Sequence, residues 1–168
     1  MRAAAVLAGF LMLTSAWWAG SLLVFQPARL VVEDVRRGRV LYERPMGPGD
    51  RFTLGYLHSV SRTRVRGLFE VRADGGLIVR ETSFGTFGPG LPDLRPGDRY
   101  EIREGVFRQR DVNLPIEALA VLVQPETQHV LEVAGDTVEL SRTLGPGARV
   151  RIRVDSAGVH RAGRPVSP

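Results

Sequence analysis

Apolar and polar residues alternate with a period of two along most of this chain, and that period is typical of half-buried β-strands. The clearest alternation lies in the stretch 49–60, where the bulky residues of one face are Phe52, Leu54, Tyr56 and His58. We expect this face to pack against a hydrophobic core. Its last member places an imidazole where the strand must leave the sheet, next to the hydroxyl of Ser59.

The same alternation predicts further strands along the chain. They cover residues 30–35, 39–44, 64–73, 77–84, 99–103, 106–112, 129–133, 137–140 and 149–154. The apolar run 115–123 fits either a strand buried on both faces or a short helix, because its length does not distinguish them. Pro-Gly pairs begin at Pro48, Pro96 and Pro146, and such pairs suit the central positions of type II turns. No segment after Pro27 has a convincing helical period.

These elements predict an all-β domain, a single β-sandwich or small barrel of short antiparallel strands. The 168 residues suffice for one ordinary domain. We place this domain at residues 27–155, preceded by one N-terminal hydrophobic helix over 1–26 and followed by a flexible tail over 156–168.

The N-terminal segment is apolar from Ala3 to Phe25 and long enough, at ~1.5 Å per residue, to cross a ~30 Å hydrocarbon core. A signal peptide cleaved near the small residues 19–21 is one interpretation. We favour an uncleaved anchor, because the apolar run continues past that point and contains Trp17 and Trp18.

The arginines that flank this segment leave its orientation open. Only Arg2 precedes it, whereas four arginines lie between positions 29 and 39, and this count would hold the domain in the cytoplasm. A short tail followed at once by an apolar segment is, however, the build of an export signal. We therefore expect a single-pass protein of the cytoplasmic membrane with its domain on the periplasmic side.

Composition removes several classes of function. The chain has no cysteine, so disulfides, thiolate metal sites and thiol nucleophiles are excluded. Its formal net charge is +5, but acidic residues separate the arginines and no long basic run occurs, so nucleic-acid binding is not expected. The histidines, His58, His129 and His160, have no spacing of a known metal-ligand pair. We predict no metal and no other cofactor.

The candidate site combines the end of the central strand with a later loop rich in glycine and proline, residues 84–92. Glycines in that loop permit positive φ angles and leave amides available to an anion. Arg62, Arg64 and Arg66 would form one row of guanidinium groups if their segment were extended. The predicted ligand-binding or partner-binding residues are His58, Ser59, Arg62, Arg64, Gly85, Gly88, Gly90, Leu91 and Pro92.

Each of these features also has a purely structural interpretation, and for the glycine-rich loop it is a tight crossing of the chain. His58 at the rim of a core would hold a loop backbone through its ring nitrogens, with Ser59 capping the strand, and we favour this over catalysis. The arginines would form the solvated face of an edge strand. A hydrolase that uses Ser59 and His58 is the least favoured alternative, because neighbouring residues on a strand point to opposite faces. We therefore expect no enzymatic activity.

The stretch 49–60, Val65 and the loop 84–92 together resemble an uncharacterised bacterial family, the domain of unknown function numbered eighteen-fifty. The most specific parts are His58-Ser59-Val60 and Gly88-Pro89-Gly90-Leu91-Pro92. The resemblance implies no established activity. It implies a setting, because genes of that family commonly lie beside tripartite ATP-independent periplasmic (TRAP) transporters, particularly the type with a TAXI solute-binding protein.

From this setting we expect a non-enzymatic accessory protein that contacts either the TRAP permease or the TAXI solute-binding protein. Its contact surface would combine the strand end at His58 and Ser59 with the loop 85–92. The alternative is a small module that binds an anionic solute through His58, Ser59, the loop amides and one of Arg62 or Arg64.

Overall fold

The structure is a computed structural model, and it describes residues 23–86, 97, 99–156 and 158–161. Over these residues the chain forms short strands and two brief helical turns. The strands are β1 Leu23–Gln26, β2 Arg29–Asp34, β3 Arg39–Pro45, β4 Arg51–Leu57, β5 Arg64–Val71, β6 Leu77–Phe84, β7 Arg99–Arg103, β8 Val106–Arg110, β9 Leu114–Ile116, β10 Ala118–Val123, β11 Val130–Val133, β12 Asp136–Glu139, β13 Ala148–Asp155 and β14 Gly158–Arg161. The helical turns are a 3-10 turn, Pro125–Thr127, and α1, Leu140–Thr143. The prediction of an all-β domain is confirmed.

The described strands pair antiparallel and form two sheets and one separate pair. The first sheet has the order β10-β13-β2-β3, and we call it the four-stranded sheet. The larger sheet has the order β12-β11-β4-β5-β6-β8-β7, with β9 also paired to β6. Strands β1 and β14 pair only with each other among the described strands. The stretch with the clearest alternation is β4, which lies inside the larger sheet.

A large cluster of buried apolar side chains is shared by the two sheets. Leu30 and Ile152 come from the four-stranded sheet, and Phe52, Phe69 and Leu131 come from the larger sheet. The rings of Phe52 and Phe69 stack with their centroids 5.2 Å apart. Burying one side chain of this size stabilises a fold by about 1.5–3 kcal/mol relative to exposure. The period-two pattern of β4 therefore arises because one face of the strand packs into the core that the two sheets share.

The glycines of the three Pro-Gly pairs adopt the backbone conformation that the sequence predicts. Gly49, Gly97 and Gly147 have φ angles of +90°, +95° and +73°. A type II turn requires positive φ at its third residue, and glycine reaches this region without a steric penalty. Each of these glycines lies one or two residues before a strand, so the turns set where β4, β7 and β13 begin.

The apolar run 115–123 takes neither of the two forms predicted for it. It contains part of β9 and all of β10, separated by Glu117, and the two strands join different sheets. Strand β10 lies at the edge of the four-stranded sheet, and its Leu122 is 56% exposed. The continuous apolar stretch 118–123 suggests burial on both faces, whereas this strand packs only one face on the core.

The two ends of the chain differ from the predicted organisation. Residues 1–22, which hold most of the predicted hydrophobic helix, lie outside the described residues. Leu23–Gln26, the last part of that predicted helix, is a strand that pairs with Gly158–Arg161 of the predicted flexible tail. An apolar run does not reveal whether it continues a helix or pairs with a strand at the opposite end of the chain. Within the described ranges, no helix is long and apolar enough to span a bilayer.

Candidate functional site

Residues 58–63 form the tight connection between β4 and β5, and we call this segment the His58 turn. Backbone hydrogen bonds close it: the His58 amide donates to the Thr63 carbonyl at 2.9 Å, and the Arg62 amide donates to the His58 carbonyl at 2.9 Å. Arg62 has a φ of +55°, which is uncommon for a residue with a side chain. The hydrogen bonds of the turn hold it in this conformation.

The imidazole of His58 is 8% exposed and forms part of this turn. Its Nδ1 accepts the Ser61 amide hydrogen at 3.2 Å, and the Ser61 hydroxyl oxygen also lies 3.2 Å from this nitrogen. Because an amide only donates, Nδ1 carries no hydrogen, and the neutral ring has its hydrogen on Nε2. One ring nitrogen of His58 therefore holds the loop backbone, which is the first part of the structural interpretation.

The serine that contacts the His58 ring is Ser61 rather than the adjacent Ser59. The Ser61 hydroxyl lies 2.8 Å from the Thr63 hydroxyl, so it belongs to a local chain of polar groups. Ser59 is exposed, and Val60 beside it is 78% exposed. In a turn, the residue three positions after a histidine can reach its ring. Sequence reasoning assumed that the strand simply ends at His58, so it considered Ser59 and missed Ser61.

The loop rich in glycine begins directly against the His58 turn. Gly85 follows β6, and a Cβ added to it would lie 2.8 Å from Thr63 Cβ, a distance that real side chains do not tolerate. The two stretches predicted to be partners therefore meet at Gly85 and Thr63, where only glycine fits. The other predicted loop residues, Gly88, Gly90, Leu91 and Pro92, lie outside the described residues.

The three arginines after the histidine do not form the single row that the sequence predicts. Arg62 lies in the turn, and the strand starts only at Arg64. Arg64 and Arg66 are exposed and alternate with buried Val65, which pairs with Tyr56 on the face that carries His58. Arg64 therefore lies on the face opposite His58, while Arg66 forms an ion pair with Glu132 at 2.6 Å. Anion binding by three arginines in one row would require an extended segment, and the His58 turn takes the place of that segment.

Sequence reasoning missed a row of side chains that crosses five strands at this end of the larger sheet and ends at His129, just before β11. Strand register places them opposite one another in the order Ile102, Phe107, Phe84, Val65 and Tyr56, and His129 follows Tyr56. We call these six residues the cross-strand row. The rings of Phe84 and Phe107 stack at 5.7 Å between centroids, and those of Tyr56 and His129 at 5.1 Å.

The cross-strand row builds a second apolar cluster, separate from the main core. Phe84 is 0% exposed and Val65 is 5% exposed, and Tyr56 and Phe107 pack against them. Ile102 at the β7 end is 56% exposed. The row thus runs from a buried cluster to solvent at the sheet edge. The row draws its members from the whole span between Tyr56 and His129, so only the pairing of strands could have revealed it.

His129 ends the cross-strand row in a buried polar site. Its ring is 5% exposed, and Nδ1 lies 2.8 Å from the Thr127 hydroxyl. That hydroxyl donates its own hydrogen to the Gln124 carbonyl at 2.7 Å, so Nδ1 is the donor of the histidine contact. Burial lowers the pKa of His129 to about 4 and raises the pKa of stacked Tyr56. The imidazole is therefore neutral at physiological pH.

The acidic and histidine side chains do not converge into a metal site in the described part of the chain. No group of three or more such residues is close enough to bind one ion there. His58 and His129 instead each hold hydrogen-bonding groups of their own neighbourhoods.

Comparison with known protein families identifies the family of the chain. The sequence model of a family described as a domain of unknown function (DUF1850) matches residues 52–140, just over half of the chain. The matched region contains the His58 turn, Gly85 and the whole cross-strand row. No curated protein and no solved structure matches the chain.

Proposed function

The chain belongs to the DUF1850 family, and from this premise we propose that it is a membrane-anchored, extracytoplasmic accessory protein that assists a solute transporter without catalysing a reaction. The partner that we propose is the permease or the TAXI solute-binding protein of a TRAP transporter. The motifs at 49–60 and 84–92 support this proposal through the gene setting of the family that they resemble.

The observation that carries the proposal is the form of the surface at the His58 turn. Val60 protrudes with 78% of its surface exposed, while the His58 ring beneath it accepts the Ser61 amide. Gly85 packs against Thr63 at the base of the turn. We call the His58 turn together with Gly85 the contact ridge. A preformed protrusion suits protein contact, because little conformational entropy is lost when it docks.

The proposed anchor strengthens such a contact without a large interface. A domain held at the membrane surface by the apolar segment that begins at Ala3 and precedes β1 has a high effective concentration near an integral membrane partner. A small surface such as the contact ridge is then sufficient for a stable complex in the membrane.

Co-purification from detergent-solubilised membranes of the native host tests this function. We expect the tagged full chain to retrieve a transporter component, and deletion of its gene to lower uptake of the transported solute. Val60→Asp places a charge on the contact ridge and should abolish the retrieval. Val40→Asp is the matched control, because Val40 is 50% exposed on β3 of the other sheet.

The proposal fails if the wild-type chain retrieves no transporter component and deletion leaves uptake unchanged. Equal loss of retrieval with Val60→Asp and Val40→Asp would remove the contact ridge from the interface. Circular dichroism of both variants distinguishes a lost contact from a lost fold.

A further inference from the structure

One edge of the four-stranded sheet lacks the features that normally prevent an edge strand from pairing with another chain. Strand β10 pairs with β13 on one side and with no described strand on the other. Its sequence, Ala-Leu-Ala-Val-Leu-Val, contains no charge and no proline. Its register with β13 is continuous from Ala118 opposite Arg153 to Val123 opposite Ala148, so no bulge interrupts it. Charges, prolines and bulges are the usual protection of such edges.

The other end strands of the two sheets, β3, β7 and β12, carry such protection. Strand β3 ends at Pro45, and the register of its pairing with β2 shifts between Val32 and Glu33. Strand β7 carries Arg99, Glu101 and Arg103 within five residues, and β12 has only four residues. Strand β10 therefore differs from these edge strands because it lacks protection. An unprotected edge strand is a candidate site for pairing with a strand of another protein.

The two faces of β10 differ in what surrounds them. Leu119 and Val121 pack against the main core, whereas Ala120 and Leu122 face outward. On that outer face Ala120 lies opposite Arg151 of β13, and Leu122 lies opposite Arg149. The outer face next to the open edge is thus apolar at the edge strand and basic one strand further in.

The two arginines make no ion pair with any described residue. Glu33 of β2 lies opposite Arg151 in register, but it pairs with Arg153 at 3.6 Å. Arg149 and Arg151 are both exposed. A strand added to β10 would run about 10 Å from β13, since neighbouring strands lie about 4.8 Å apart. Arginine side chains that reach over small Ala120 can meet acidic side chains of the added strand across that distance.

We propose that β10 is a docking edge, which binds an extended segment of a partner protein in which apolar and acidic residues alternate. The segment adds a fifth strand to the four-stranded sheet, with its apolar residues beside Leu119 and Val121 on the core face. Its acidic residues lie on the outer face and pair with Arg149 and Arg151. Backbone hydrogen bonds supply affinity, and the two arginines select the acidic pattern.

A second copy of this chain is the less suitable occupant of the docking edge. Its own β10 carries no acidic residue, and edge-to-edge pairing would place the Arg149 and Arg151 rows of both copies on the same outer face. The β10 strand of a second copy therefore offers no acidic side chain to Arg149 and Arg151. The docking edge lies on the opposite sheet from the contact ridge, and its existence does not depend on the transporter function proposed above.

A synthetic peptide tests the docking edge on the full chain. The probe is a capped, fluorescein-labelled eight-residue peptide that alternates valine and glutamate, and anisotropy reports its binding. Two control peptides replace glutamate by lysine or group the valines and glutamates in blocks. We expect the alternating acidic peptide to bind at least about tenfold more tightly than either control. Hydrogen exchange should show new protection of residues 118–123 when it binds.

Charge reversal provides the matched variants. Arg149→Glu combined with Arg151→Glu should weaken the acidic peptide at least about tenfold and strengthen the lysine peptide. Arg103→Glu changes an exposed arginine on the edge strand β7 of the larger sheet and should leave both affinities within about twofold. The proposal is overturned if the acidic peptide does not bind, if the lysine peptide binds equally well, or if 118–123 become protected through self-association without peptide.

Discussion

The buried histidine that ends the cross-strand row makes the fold sensitive to mild acid. An unfolded chain protonates a histidine near pH 6.5, whereas burial holds the folded pKa of His129 at about 4. Between these values the unfolded state binds more protons, so the free energy of unfolding falls as the pH falls from above 6.5 towards 4. Since one pKa unit corresponds to ~1.4 kcal/mol, the whole loss is about 3 kcal/mol, of which about 2 kcal/mol has occurred at pH 5.

The measurement is urea unfolding of the full chain, followed by circular dichroism at several pH values between 7.5 and 5. The pKa values of Asp34 and Glu70 are lowered, chiefly by hydrogen bonds from Arg37 and Arg80. Such carboxylates cost stability only as the pH falls through their ordinary values near 4, below the range measured. His129→Gln should therefore flatten the pH dependence, while His58→Gln should keep the loss assigned to His129.

Two results would refute this reasoning. One is a His129→Gln protein whose free energy of unfolding retains the wild-type dependence on pH between 7.5 and 5. The other is an NMR titration of the wild-type chain that finds the His129 pKa near 6.5. The titration does not require any variant to fold.

Two further predictions address the close contact at Gly85 and the compartment. Gly85→Ala places a Cβ against Thr63 and should lower the free energy of unfolding by about 1–3 kcal/mol. Gly145→Ala is the control, because a Cβ there would meet no atom within 4 Å, and it should change this free energy by less than about 0.5 kcal/mol. Equal changes in the two variants would contradict the contact. Protease added to spheroplasts should remove a C-terminal epitope tag, and cleavage only after lysis would place the domain in the cytoplasm.

Local patterns allowed much of the fold to be predicted. Period-two alternation gives the strands around Phe52 and Val150, because each strand buries one face on the common core. The Pro-Gly pairs gave the turns, because glycine at positions such as Gly49 satisfies a conformation that other residues resist. These features depend on residues that are neighbours in sequence, and a single sequence contains them.

The features that the sequence analysis did not predict depend on which residues, distant in sequence, become neighbours in the fold. The contact between Tyr56 and His129, the pairing of β1 with β14 and the opposition of Arg151 to Ala120 all follow from strand pairing across long separations. At the candidate site, His58 was found because an imidazole at a strand end is unusual. Ser61 was missed because the turn that brings it to the ring replaced the expected extended segment.

The strand order of the four-stranded sheet affects how the protein folds during its synthesis. Strand β2 pairs with β3 soon after both are synthesised, but its other neighbour, β13, is the product of the last part of the domain. In a chain that emerges from a ribosome or a translocation channel N-terminus first, one edge of β2 therefore lacks its partner strand until nearly all of the domain has emerged. Closing a sheet between such distant segments is slow, so holding chaperones have their longest opportunity to act on this early hairpin.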